Sequence, residues 1–157
     1  MKRRHFVAAL AGLFAGRQAA AATGAGAPVQ KLVLSDAEWK KRLAPQQYDV
    51  LREEATERAG TSPLLAEHRN GTFVCAGCDL ALFESKTKYE SGTGWPSFYD
   101  YIHGHLETKT DFKLIIPRTE YHCARCGGHQ GHVFDDGPPP TGKRYCNNGV
   151  ALKFIPA

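Results

Sequence analysis

Apolar and polar positions follow three different spacings along the chain. An apolar run, Phe6 to Gly16, stands first, behind the basic cluster Lys2, Arg3 and Arg4. From Ser35 the spacing turns helical. Ser35-Asp36-Ala37-Glu38 has the capping-box form, and a helix through Trp39 to Leu43 is expected, interrupted near Pro45. A second helix over Gln46 to Arg58 would place Tyr48, Leu51 and Ala55 roughly on one face. Ser62-Pro63 reads as an N-cap followed by Pro at the first helical position, opening a short turn through Leu64 to Glu67. After Gly71 the pattern becomes one of short β-favouring runs: Thr72–Cys75, Leu80–Glu84, Phe112–Pro117, Tyr121–Cys123 and Val150–Ile155. Gly, Pro, Asp and Asn clusters separate them. The expected fold is mainly β: two antiparallel sheets in a small sandwich or partly open barrel, with short helices at the N-terminus.

The first apolar run is far shorter than the roughly 20 residues a membrane-spanning helix needs. With the basic cluster before it and the small residues Ala19 to Ala22 after it, the order is that of an export signal, residues 1–22, cleaved after Ala22. A short buried helix would show polar residues at helical spacing, and this run has none. Arg3-Arg4-His5-Phe6-Val7 resembles a twin-arginine signal, although no Ser or Thr precedes Arg3. A periplasmic or otherwise exported protein follows as the expectation, with no stable membrane anchor. Residues 23–33, rich in Gly, Ala and Pro, read as a linker, and 34–157 as one domain.

Composition adds little beyond this. The 157 residues suffice for one core, and 42% apolar with 23% charged residues is ordinary for a globular protein. The net charge of +4 would suggest an anionic partner, but it resides in the signal. Loss of Lys2, Arg3, Arg4 and Arg17 from 20 basic residues leaves 16, equal to the acidic ones. A nucleic-acid partner therefore has no support.

Two turns carry the strongest local signal: Cys75-Ala76-Gly77-Cys78 and Cys123-Ala124-Arg125-Cys126. Each points two thiolates at one centre, and together they supply the four sulfurs of a closed tetrahedral zinc site, one ion per chain. Two disulfides, or one Cys-x-x-Cys redox pair, remain open alternatives in an oxidising compartment. Duplication favours shared ligation, because a redox enzyme needs only one such pair.

That assignment leaves Cys146 as the free thiol among five cysteines. Lys143 and Arg144 precede it and would favour the thiolate, the reactive form. His129 and His132 offer imidazoles that exchange protons near neutral pH. A buried inert thiol, and a His-x-x-His metal pair, are the blander readings.

Three segments complete the pattern: Gly94-Trp95-Pro96-Ser97-Phe98, Gly131-His132-Val133-Phe134-Asp135-Asp136-Gly137 and Arg144-Tyr145-Cys146-Asn147-Asn148-Gly149. In combination they resemble the peptide methionine (R)-sulfoxide reductases of type B, in their zinc-binding branch, from about Ser35 to Phe154. The resemblance implies Cys146 as nucleophile. His132, with His129 nearby, would assist protonation of the sulfoxide oxygen. It also implies Asn148 as the site asparagine, Asp136 and Arg144 as a supporting pair, and Trp95 and Phe134 as substrate-binding aromatics. Oxidised proteins or peptides would be the substrates. A sulfoxide sulfur becomes electrophilic when its oxygen is protonated, so a nucleophile and an acid must face each other across it.

Many members of that family carry a resolving cysteine where this chain has Thr93, in Gly92-Thr93-Gly94-Trp95. A sulfenic acid on Cys146 would then need an external reductant, a small thiol or a thioredoxin-like protein. A monomer is expected. Rival readings are a non-catalytic zinc-knuckle binding module and a Cys146-based redox sensor. A zinc hydrolase fails because four sulfurs leave no open coordination position.

Overall fold

The structure, a computed structural model, describes residues 28–113 and 116–157. The expected export signal lies outside these residues. Helix α1 (Asp36–Arg42) starts as the capping box requires: Glu38 N donates to Ser35 Oγ at 3.4 Å and Ser35 N donates to Glu38 Oε2 at 2.8 Å. Helix α2 (Pro45–Glu53) begins with Pro at its first position. Against the expectation that it reaches Arg58, it stops five residues earlier. Glu54 adopts a left-handed conformation (φ 56°), its N–H closes on the α2 carbonyls, and its carboxylate pairs with Lys109 and Lys113. The chain then runs extended, so Ala55 leaves the helical face on which the periodicity placed it. Ser62 caps the 3-10 turn Pro63–Ala66 as predicted, accepting from Leu64 N at 3.2 Å.

Among the described residues nine strands follow in two antiparallel sheets, and neither closes into a barrel. The smaller holds β1 (Gly71–Cys75) between β2 (Ala81–Glu84) and β9 (Leu152–Pro156). The larger sheet has the order β3-β4-β8-β7-β6-β5. Its strands are β3 (Lys88–Tyr89), β4 (Ser97–Phe98), β5 (Leu106–Asp111), β6 (Arg118–Cys123), β7 (His129–Phe134) and β8 (Arg144–Asn147). The sheets pack through aromatic rings. Phe83 of β2 stacks on Phe98 of β4 with centroids 4.1 Å apart, and Phe73 of β1 meets the same ring edge-on at 5.0 Å.

Strand β5 breaks the sequence pattern. Leu106-Glu-Thr-Lys-Thr-Asp111 is an edge strand that buries only its two ends, and the four residues between them are exposed on both faces. The apolar stretch expected as a strand, Phe112–Pro117, instead joins β5 to β6. Phe112 and Ile116 are 75% and 76% exposed, and Leu114 and Ile115 lie outside the described residues. Apolar composition misled here because pairing of Asp111 with Arg118 closes the hairpin inside that stretch. Residues 28–34 lie along the body, with Leu32 N donating to Arg125 O at 2.7 Å and Val29, Leu32 and Leu34 partly buried.

Trp39, Leu43, Val50 and Leu51 bury the helices' apolar faces against the sheet end that carries the cysteines. An added Cβ at Gly128 would lie 2.9 Å from Leu51 Cδ2, so helix and turn meet at glycine distance.

Candidate active site and metal centre

Each Cys-x-x-Cys turn sits at a strand end, as expected. Cys75 ends β1 and Cys123 ends β6, and each turn is closed by backbone bonds: Asp79 N to Cys75 O at 2.9 Å and Gly127 N to Cys123 O at 2.8 Å. The two turns reach αL geometry at Asp79 (φ 60°) and Gly127 (φ 68°), which bends both cysteines of each turn toward one point. The four Sγ atoms lie within 4.8 Å of one another, all buried. Their closest approaches join different turns, Cys75 to Cys126 at 3.6 Å and Cys78 to Cys123 at 3.5 Å. A disulfide needs about 2.05 Å, whereas a tetrahedron of sulfurs about 2.3 Å from a zinc ion has edges near 3.8 Å. All five cysteines are unbridged. The cluster is a possible metal-binding site, and its donor set fits a closed tetrahedral ion.

The second constellation is built by strand register. In an antiparallel sheet, directly paired residues project to one face. Pairing sets Glu120 (β6) opposite His132 (β7), His132 opposite Cys146 (β8), and Cys146 opposite Ser97 (β4). One row of side chains thus crosses four strands. Gly131, paired with Asn147, allows close approach here: a Cβ on it would lie 1.9 Å from Cys146 O.

A cavity of about 120 Å³ opens on this row. Five of the residues singled out in the sequence line it: Trp95, His132, Phe134, Cys146 and Asn148. Thr56 and Arg118 line it too, and the sequence reading missed both. The other three predicted residues, His129, Asp136 and Arg144, do not line it. Arg144 donates twice to Asp136, at 2.8 Å each, and its guanidinium lies 4.3 Å from the Phe134 ring centroid. His129, 3% exposed, directs Nδ1 at Glu120 Oε1, 2.6 Å away, and its Nε2 has no partner among the described residues.

Burial pushes the Cys146 thiol above its ordinary pKa. Arg144 and the Thr93 hydroxyl, both beside the sulfur, pull it back only in part. The sequence expectation of a thiol activated by Lys143 and Arg144 is therefore corrected. Lys143 pairs with Asp135 instead, and desolvation outweighs Arg144.

His132 is held below the usual histidine range, chiefly by burial; Asp111 opposes this and the Arg118 charge adds to it. Its Nε2 lies 2.7 Å from Asp111 Oδ2, to which Arg118 Nη2 donates at 2.6 Å. With Lys113 N also donating at 2.8 Å, the Asp111 carboxyl sits well below the usual range. Burial alone would raise Glu120, but bonds from His122 and His129 overcome it and leave its pKa at about 2. Both imidazoles are thus oriented by carboxylates, and among the described residues the grouping able to hold a metal ion is the four-cysteine cluster. Nothing in the local sequence around Asp111 or Glu120 pointed to these roles; only the strand pairing does.

Gln130 joins the two constellations. Fully buried, it donates from Nε2 to Cys75 Sγ at 3.5 Å and accepts from Asn147 Nδ2 at 3.4 Å. Tyr121 OH donates to Asn147 Oδ1 at 2.8 Å, so the residue after Cys146 is anchored in the core.

Residues 43–156 match the SelR domain. The chain is 53% identical over 121 residues to the peptide methionine sulfoxide reductase MsrB of Leptospira interrogans, covering 76% of this chain and 92% of the relative. Its identity to the protein of the same name from Methanosarcina barkeri is 53% over 121 residues, covering 76% and 85%. The chloroplastic peptide methionine sulfoxide reductase B1 of Arabidopsis thaliana is 54% identical over 122 residues, which span 77% of this chain and 60% of that one.

Proposed function

The chain belongs to the SelR-domain peptide methionine sulfoxide reductases of type B, and from that premise we propose how its residues reduce the R-sulfoxide of protein-bound methionine. The enzyme is an oxidoreductase acting on sulfur. The observation that carries the proposed mechanism is the direct pairing of His132 with Cys146 across β7 and β8, at a cavity walled by Trp95 and Asn148.

The substrate methyl group packs on the Trp95 ring, with Phe134 extending the apolar wall. The sulfoxide sulfur faces Cys146 Sγ, and its oxygen lies toward His132. As the sulfur is attacked, the oxygen takes a proton from the imidazole side and then moves to the cysteine sulfur. The products are methionine and Cys146 sulfenic acid, with two electrons passed from the thiol to the sulfoxide. Asp111 orients His132, and Asp136 holds Arg144 beside the thiol. The R epimer alone sets the methyl on Trp95 while its oxygen meets His132.

Cys75, Cys78, Cys123 and Cys126 hold one structural zinc ion; when bound, it cross-links the ends of β1 and β6. With those thiols engaged and Thr93 carrying a hydroxyl, the sulfenic acid has no internal partner. Two equivalents of an external thiol, or one dithiol of a thioredoxin-like protein, return it to the thiol and release water. Residues 1–22 have the form of an export signal of the twin-arginine type, which supports a periplasmic enzyme repairing oxidised proteins. N-terminal sequencing of the protein recovered from the cell envelope checks that placement.

Substitution of Cys146 by Ser tests the mechanism. Reduction of an R-sulfoxide peptide is lost, with the fold and metal content retained. Activity that survives the substitution removes Cys146 from the reaction.

A further inference from the structure

Glu57 is buried, 6% exposed, yet takes part in no ion pair among the described residues. A buried carboxylate without a countercharge is costly unless hydrogen bonds replace its hydration. Here they come from backbone: Gly149 N donates to Oε1 at 2.5 Å and Val150 N donates to Oε2 at 3.0 Å. These are the first amides of the 3-10 turn Gly149–Ala151, whose N-cap residue is Asn148. Asn is among the best side chains for capping its own helix end, but Asn148 makes no such bond. Its side chain turns instead to Glu57 N, which donates to Oδ1 at 3.0 Å, and to Gln130 O, which accepts from Nδ2 at 3.0 Å.

The same residue reaches the opposite wall. Trp95 Nε1 donates to Glu57 O at 3.1 Å, and Gly60 N donates to Gly94 O at 2.7 Å just beyond. The space is closed from the far side as well: a Cβ on Gly149 would lie 1.9 Å from Ser62 Oγ and 3.2 Å from Glu57 Oε1.

We propose that Glu57 is a positioning residue that caps the turn after Asn148 in place of Asn148 itself, so that the Asn148 amide and the Trp95 ring are both held at the substrate cavity. Without the carboxylate, the amides of residues 149–150 are orphaned. The Asn148 side chain, the ordinary acceptor for its own helix end, turns to them and leaves the cavity to do so. Glu57 never touches substrate; it acts through the two groups that do.

The proposal rests on the substrate-binding roles given above to Trp95 and Asn148, and its test is read with Cys146 intact. Glu57→Gln keeps the side-chain shape but sets an NH2 donor against one of the two amides. Its KM for an R-sulfoxide peptide rises about tenfold or more, and its preference for R over S falls. The pH profile of Cys146 alkylation by iodoacetamide stays as in the parent, because the thiol's own neighbours are untouched. Adding Glu57→Gln to Asn148→Ala raises KM by a smaller factor than Glu57→Gln does in the parent, since one of the two positioned groups is already gone.

A merely structural Glu57 would lower the yield of folded enzyme and leave KM and epimer preference alone; that result overturns the proposal. So does full additivity with Asn148→Ala, or a shifted alkylation profile. Should Glu57→Gln fail to fold, Glu57→Asp decides. It keeps the carboxylate but shortens its reach to the two amides by one methylene, so KM rises at least about threefold, and an unchanged KM overturns the proposal. Loss of reduction in Cys146→Ser, or its survival, tests the mechanism separately and moves with none of these.

Discussion

His132 and Asp111 stand 21 positions apart in the chain, yet His132 Nε2 lies 2.7 Å from Asp111 Oδ2. The bond fixes the ring's orientation and favours its protonated form against the burial that disfavours it. Asp111→Asn keeps the shape and removes that support. The imidazole pKa then falls further below the ordinary value, so the protonated fraction shrinks at every pH near neutrality. The expected outcome is a kcat lower by roughly ten- to a hundredfold, with the rate-profile limb belonging to His132 displaced to lower pH. Imidazole NMR titration of the variant locates the shift directly.

The thiol titrates in the other direction. Because burial raises the Cys146 pKa, its thiolate fraction at neutral pH is smaller than that of an exposed cysteine and grows as pH rises. Alkylation of the free enzyme by iodoacetamide therefore has a midpoint above the ordinary thiol range. Arg144→Met removes the charge that partly offsets burial and moves the midpoint higher still. A midpoint that falls in this variant contradicts the assignment.

In the proposed cycle Thr93 offers no thiol to bridge Cys146. Treated with excess sulfoxide and no reductant, the enzyme accumulates a Cys146 derivative heavier by one oxygen, about 16 Da, and no internal disulfide. The Thr93 side chain lies close enough to influence the Cys146 sulfur. Thr93→Cys consequently places a thiol within bridging reach, and turnover of that variant yields a disulfide between the introduced thiol and Cys146, seen by peptide mass mapping.

The four-sulfur cluster predicts a metal content of about one zinc per chain. Cys78→Ser leaves three thiolates, lowers metal retention and drops the melting temperature, as does a strong chelator on the parent protein. Cys146→Ser leaves both quantities unchanged. Metal analysis and calorimetry on the same samples separate the two kinds of cysteine.

Much of the site could be read from residue types alone. The paired Cys-x-x-Cys turns, the leftover Cys146 and the motifs around Trp95, His132 and Asn148 are local, and each lies where the short segment itself bends or pairs. The capping box at Ser35 and the proline-led turn after Ser62 are local in the same way, so their sequence signatures match the structure. The failures are long-range. Strand β5 carries almost no apolar pattern because only its end residues Leu106 and Asp111 are buried, while the apolar stretch beside it spans the hairpin connection. Helix α2 stops at Glu53 because Glu54 is drawn to Lys109 and Lys113, residues no helix-propensity rule can see.

The sequence by itself determined the inventory: four cysteines in two Cys-x-x-Cys turns, a fifth cysteine at 146, the histidines at 129 and 132, the aromatic residues Trp95 and Phe134, and a threonine at 93. Tertiary structure decided how these groups behave. Register across β6, β7 and β8 puts Glu120, His132 and Cys146 in one row, while the β5–β6 hairpin brings Asp111 to His132 and the extended segment after α2 brings Glu57 under Asn148. It also reversed the expected shift of the thiol. Neighbouring charges are visible in a sequence, but desolvation depends on everything packed around a group, and at Cys146 desolvation is the larger effect.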